Sequence, residues 1–471
     1  MDEAAQTESS NETDSLQCGI GELPVELLDL VLESVREDRV TILACSWVSR
    51  LWHEVALPYL FASLKIASKY DFVDFHGFLQ MHPHIACRVR KLQLKVAYTE
   101  WTDRMRRQDD YPVVGRAQLI ALVALLPRLQ ELHLYDLWLI DSPNPASDAP
   151  NPLPTRTLEK LTVERCSAPG LATTLSLVTV LNIISVFDSI DTLELLAMQI
   201  SSGTTKRARH IRTLNVAALI TGDLSTHGSR FAASALYDPL RASLAPGCLR
   251  SLELECIGAP LVHVSAVLPS FGALVASAAR NALHIHIPFQ VSLPQIGPNG
   301  DSPEHWRALN LQACTSLRSL TLDVLVPRSN VCPPEGWIDT PDASVAQVCR
   351  ALLANVPMTI RVLTLKFWRL DTRWGTEFDN ATSLGLRALD AALAARHEYL
   401  KRLEVMISIC VDEEGTSLAL LTAMPELRAK GMLRVVEWRG RALATYATRL
   451  FPELSMKNET RGSDPRDPEK Y

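Results

Sequence analysis

The chain has 471 residues, of which 47% are apolar and 21% charged, with a net charge of −6. That length exceeds one compact core and calls for several domains or a repeat array. The acidic balance gives no electrostatic reason to expect nucleic acid. Ten Cys are scattered with no Cys-x-x-Cys spacing, against both a zinc site and a disulfide framework, so reduced thiols in the cytoplasm and/or nucleus are expected.

Residues 1–18 are acidic and polar without an apolar core, so they read as a disordered tail and not as a secretory signal. A helical module is expected over 20–62. Pro24 suits a first helical turn, and Glu22 and Glu26 suit its positive end. Leu23, Leu27, Leu28, Val31 and Leu32 recur at helical spacing as one stripe. A polar break, Glu33 to Arg39, precedes a second apolar series from Ile42 through Val48 and Trp52 to Val55, and Pro58 is expected to stop that helix. Some forty residues are too few to bury a core alone, so the module needs a partner surface.

Leu23-Pro24, the Leu27-Leu28 pair, the polar gap and Val48-Ser49-Arg50-Leu51-Trp52 resemble the F-box, and the tail from His53 to Phe61 is similar to divergent F-boxes of mushroom-forming fungi. The stretch 37–41 is more polar than the usual pattern. The resemblance implies a substrate receptor of an SCF-type ubiquitin ligase. Its partners would be a Skp-type adaptor, through it a cullin, and a protein substrate. Leu23, Pro24, Leu27, Leu28 and Leu32 would contact the adaptor, and Val48 and Trp52 would pack the module and its interface.

From residue 63 to 454 a hexamer of the form apolar-x-x-apolar-x-apolar recurs. Clear copies stand at 89–94, 129–134, 158–163, 190–195, 211–216, 249–254, 317–322, 360–365 and 400–405, with weaker ones at 282–287 and 433–438. The last three positions alternate as a strand does. Helical segments are expected before them at 115–126, 175–187, 231–244, 344–353 and 384–395, with Pro or Gly breaks between. The spacing of fourth positions runs from 21 (193 to 214) to 43 (320 to 363), longer and less even than a regular leucine-rich repeat. The fold class expected is therefore α/β: the short helical F-box, then an irregular leucine-rich-repeat-like α/β solenoid, whose units bury their faces only by stacking. Pro-rich stretches at 141–154, 292–303 and 327–341 read as loops, and 455–471 as a second disordered tail. The apolar stretch 171–187 is too short to span a membrane and reads as a buried helix.

The middle residue of each alternating triplet would line the exposed sheet face: Gln93, His133, Thr162, Glu194, Asn215, Glu253, His286, Thr321, Thr364, Glu404 and Glu437. Glu194, Glu253, Glu404 and Glu437 make this column mildly acidic and are the candidate substrate contacts. Nucleophile, phosphate-loop, dinucleotide and zinc-protease motifs are missing, so no catalytic residue, metal or cofactor is assigned. His284 and His286 share a strand face but have no carboxylate or Cys near in sequence. The run 206–212 is basic and 101–110 mixes Arg, Asp and Trp; both read as solvated loops. The competing account is a repeat scaffold without a ubiquitin role, its N-terminal helices acting as a cap.

Overall fold

A computed structural model describes residues 23–69, 71–97, 112–140, 156–169, 175–200, 213–222, 225–226, 233–255, 264–278, 280–289, 307–325, 353–368, 386–396, 400–408 and 421–438. Both expected tails, the three Pro-rich stretches, the runs 101–110 and 206–212, and nearly all of the helix expected at 344–353 lie outside the described residues.

Three helices open the described chain: α1 (Val25–Ser34), α2 (Arg39–Cys45) and α3 (Arg50–Ala62). The polar stretch 37–41 has a local role. Asp38 caps α2, accepting the amides of Val40 and Thr41 at 3.1 and 3.2 Å and the Thr41 hydroxyl at 2.6 Å. Ser49 caps α3 by accepting the Trp52 amide at 3.3 Å. Leu28, Leu32, Ile42, Trp52, Ala56 and Leu60 form a small core between the helices. Tyr59 Oη donates to Asp29 Oδ1 at 2.7 Å and ties α3 to α1.

One expectation is corrected here. Pro58 does not stop the helix, because α3 runs on to Ala62. The proline forfeits one amide bond, but the following turn buries Leu60 and half-buries Phe61, which offsets that loss.

α3 leads directly into the first of sixteen strands among the described residues. These are β1 (Ser63–Ser68), β2 (Lys91–Val96), β3 (Val113–Gly115), β4 (Glu131–Tyr135), β5 (Trp138–Ile140), β6 (Thr157–Glu164), β7 (Ser189–Leu196), β8 (Gln199–Ile200), β9 (Asn215–Gly222), β10 (Ser225–Thr226), β11 (Ser251–Glu255), β12 (His284–Phe289), β13 (Ser319–Leu325), β14 (Val362–Trp368), β15 (Arg402–Ser408) and β16 (Leu433–Trp438). Twelve of them form one sheet in chain order, β1-β2-β4-β6-β7-β9-β11-β12-β13-β14-β15-β16, every pair parallel. β3 with β5, and β8 with β10, make two short side ladders.

Parallel neighbours need a crossover between them, and helices supply many of these. They include α4 (Val73–Met81), α5 (Pro83–Ala86), α6 (Arg116–Leu125), α7 (Leu177–Ile184), α8 (Ala233–Ser243), α9 (Val264–Ala278) and the later helices Leu386–Arg396 and Pro425–Ala429. α4 packs on α6, α6 on α7, α7 on α8 and α8 on α9, so the helical layer also follows chain order. α7 is buried on nearly all sides, as expected for 171–187, and no helix among the described residues is long and apolar enough to cross a membrane.

The hexamer's fourth position is the spine of the core. Leu92, Leu132, Leu161, Leu193, Leu252, Ile285, Leu320, Leu363 and Leu403 stand on successive strands and are all buried within one cluster. Two copies sit elsewhere than expected. Leu193 pairs with Leu219, not Leu214, and Leu403 pairs with Leu433, not Val436. The β9 copy was obscured because its sixth position is Thr221, buried at 1%. The β16 copy lacks an apolar first position, Lys430 standing there. A further copy, Phe61, Leu64 and Ile66, lies at the helix-to-strand junction, with Leu64 paired to Leu92.

Among the described cysteines Cys45, Cys87, Cys166, Cys248 and Cys314 are free thiols. Burial pushes the Cys166 thiol up to about 12 and Cys314 up to about 11, so neither is a nucleophile.

Candidate functional site

The helical module divides its apolar residues between two directions. Leu28 and Leu32, one turn apart, face the small core with Trp52. Leu27 and Val31 form a second pair at the same spacing, one position back and about 100° round the helix, and they are exposed. Eleven large apolar side chains are exposed among the described residues, and eight of them are Val25, Leu27, Leu30, Val31, Val40, Leu43, Trp47 and Val48. Trp47 is 82% exposed and Leu30 65%. Such a concentration of uncovered apolar surface marks an interaction site.

The seven residues expected to serve the adaptor are therefore not equivalent. Leu27, Pro24 and Val48 are exposed and Leu23 is half-buried. Leu28 and Leu32 are fully buried core residues of the module, which corrects their expectation as direct contacts, and Trp52 packs in the same core. Leu30, Val40, Leu43 and Trp47 were missed. Their signal was present as apolar residues falling off the core-facing stripe of each helix.

The polar sheet face also differs from expectation. The true register makes its central column Lys65, Gln93, His133, Thr162, Glu194, Ile220, Glu253, His286, Thr321, Thr364, Glu404 and Arg434. Ile220 and Arg434 replace Asn215 and Glu437; Glu437 stands opposite Ile407, in the other column of the pleat. The remaining glutamates are internally paired. Glu194 meets Lys160 Nζ at 2.7 Å and accepts the Thr162 hydroxyl at 2.7 Å. Glu253 lies 2.7 Å from His286 Nδ1, and Glu404 2.6 Å from Arg402 Nη2. Lys91 and Glu131 make a further cross-strand pair at 2.8 Å. The face is a ladder of neutralised pairs and not a free acidic column. A carboxylate does accompany His286 after all: it comes from the neighbouring strand, where sequence distance hid it. The His286 hydrogen bond holds the Glu253 carboxyl below its ordinary value of 4.5, with the positive charges of His286 and Lys366 adding to this against desolvation. No group of three or more metal-ligating side chains occurs among the described residues.

Residues 20–97 match the family model described as the COS11 F-box domain. The match takes in the three helices and continues through β1, α4, α5 and β2, past the boundary at 62 that the sequence suggested. No curated protein matches the chain. F-box domains typically bind Skp-type adaptors and serve ubiquitin-ligase substrate recognition, and such proteins are typically non-catalytic. The exposed apolar helices, set on a small, separately packed core, thus lie within a region, residues 20–97, that is similar to an F-box domain.

Proposed function

We propose that this chain is the substrate receptor of an SCF-type ubiquitin ligase, with α1, α2 and the turn at Trp47-Val48 binding a Skp-type adaptor and the long sheet presenting a protein substrate. The observation that carries this is the group of eight exposed apolar side chains on α1, α2 and the turn after α2. Left in water, that surface is a liability; covered by an adaptor helix it becomes the core of an interface. The parallel sheet, its strands in chain order with helices crossing over, supports a leucine-rich-repeat-like solenoid, an architecture whose extended faces suit protein targets. Catalysis would then be by proximity: the receptor raises the effective concentration of the target beside a charged conjugating enzyme and contributes no reacting group. Co-expression with a Skp-type adaptor and a cullin tests this; the three should purify as one assembly, and a chain that purifies alone would refute it.

One observation favours a second role for the same helices. α3 passes without a break into β1, the edge strand of the sheet, and Arg90 donates its amide to Ala62 O at 2.9 Å. The module thus also caps the array. A pure cap predicts loss of stability without residues 20–62 and no adaptor binding.

A further inference from the structure

The turns that start the later strands carry a feature outside the receptor reading. Position two of each hexamer is joined to the next by a backbone bond. Arg250 donates to Ala217 O at 2.7 Å, Leu283 to Arg250 O at 2.8 Å, Arg318 to Leu283 O, Arg361 to Arg318 O and Lys401 to Arg361 O, each of these three at 2.9 Å. The row is locked from the side by the residue before each hexamer. Asn281 donates to Gly247 O, Ser316 Oγ to Arg280 O at 2.7 Å, and Thr359 Oγ1 to Leu317 O at 2.9 Å.

Arg318, Arg361 and Lys401 therefore stand on three consecutive strand starts, about 4.8 Å apart at the backbone; Leu283 holds this position on β12, with Arg280 in the turn just before it, and Arg250 holds it on β11. All five basic residues are exposed. On the sheet strands the ion pairs among the described residues fall elsewhere, at Lys91–Glu131, His133–Glu164, Lys160–Glu194, His286–Glu253 and Arg402–Glu404, and none of the five takes part in one. Like charges stacked on neighbouring strands repel. A chain with net charge −6 has concentrated unpaired cations along one rigid edge. At the equivalent positions earlier in the sheet stand Arg90, Gln130, Glu159, Asp191 and Ala217, so basic residues on consecutive strands, with no acidic one among them, belong to the later strands. A groove of about 570 Å³ opens at the start of the row, lined by Arg250, Arg280, Asn281 and Ser316 together with Asp191 and Asn215.

We infer that this strand-start edge, from β11 to β15, is a docking strip for an extended acidic segment of a protein partner. The strip rests on charge and register alone; that its partner is the ligase substrate rests on the receptor reading. From Arg250 to Lys401 the row spans four strand steps, about 19 Å, which an extended peptide covers in about six residues. An Asp- and Glu-rich run of that length places carboxylates along the whole row. The groove and its neighbouring turns carry no aromatic side chain among the described residues, whereas single-stranded nucleic acid is held by stacking on aromatics between the cations.

The test uses the full chain and a fluorescent peptide of about eight alternating Asp and Glu residues, read by anisotropy at low and moderate salt. Wild type should bind, less tightly as salt rises, and the same peptide with Asn and Gln should not bind. Arg318→Glu with Arg361→Glu should weaken binding roughly tenfold or more, and the milder Arg361→Gln should weaken it less. Lys65→Glu, at the far end of the sheet, should leave it unchanged. Adaptor capture measured on the same variants should be unaffected, which separates failure of the strip from failure of the receptor reading. Absence of peptide binding by wild type, equal loss with Lys65→Glu, insensitivity to the Arg variants, or tighter binding of a single-stranded oligouridine than of the peptide would each overturn the proposal.

Discussion

The Asp390 carboxylate and the Leu427 amide meet at 2.9 Å between the helices Leu386–Arg396 and Pro425–Ala429. The other carboxylate oxygen accepts the Glu426 amide at 2.8 Å. Asp390 is 1% exposed and sits on the helix Leu386–Arg396, so it caps the next helix, Pro425–Ala429, from outside its own chain segment. A short helix begun by a proline has no cap of its own here, and the helix Leu386–Arg396 provides it. Asp390→Ala should leave two amides unmet and cost about 2–3 kcal/mol, read as a lowered unfolding midpoint; a loss under about 0.5 kcal/mol would show that the contact is dispensable.

The small core of the helical module makes different predictions for two of its residues, Trp52 and Leu28. Trp52 is buried and its indole N–H has no acceptor, so Trp52→Phe keeps most of the packing and removes an orphan donor. Adaptor binding should survive it. Leu28→Ala should instead destabilise the module by about 2–5 kcal/mol. Loss of adaptor binding by Trp52→Phe, with the helices intact by circular dichroism, would contradict the placement of Trp52 in the core.

Much of this organisation was legible in the sequence. The apolar hexamer marked nearly every strand, because each strand of a parallel sheet buries the same two positions against the helical layer. Where it failed, the reason is local. Thr221 occupies a core position, so the apolar pattern is clearer five residues earlier and points to Asn215 for a column that holds Ile220. At β16 the edge strand needs fewer apolar positions, so Glu437 was assigned to the wrong side of the pleat. The pairing of Glu194, Glu253 and Glu404 could not be read from a single chain segment, since each partner but one comes from the neighbouring strand. In the F-box, helical spacing identified the apolar residues but not which of two adjacent stripes faced inward; that depends on where α3 crosses α1.

The Glu253–His286 pair makes stability depend on pH with a defined sign. The folded state holds the Glu253 carboxyl below 4.5, chiefly through the His286 hydrogen bond. Its contribution is therefore present above about pH 4.5 and is lost as pH falls through the lower folded value. Melting temperatures of wild type and Glu253→Gln should differ most above pH 4.5 and converge as the pH falls through the lower folded value. A difference independent of pH would show that the pair contributes packing only.

Gly272 in α9 lies where a Cβ would fall on the Ala308 carbonyl oxygen, and Asn310 donates to the Gly272 carbonyl at 3.2 Å. Backbone meets backbone there, so a side chain cannot be accommodated by a rotamer change. Gly272→Ala should cost roughly 1–3 kcal/mol despite the better helix propensity of alanine. A stabilised variant in thermal unfolding would mean that α9 and the segment after it are not so closely apposed.

The central claim is that the exposed apolar side chains of α1, α2 and the following turn bind a Skp-type adaptor. The direct measurement is the affinity of purified adaptor for wild type and for Leu30→Asp with Trp47→Asp, alongside the unfolding midpoint of both. Both residues are exposed, so the substitutions leave the core in place. The account predicts an unchanged midpoint and a loss of affinity of about 2 kcal/mol or more per anchor, roughly thirtyfold for each. Equal affinity of the two proteins for the adaptor would contradict it.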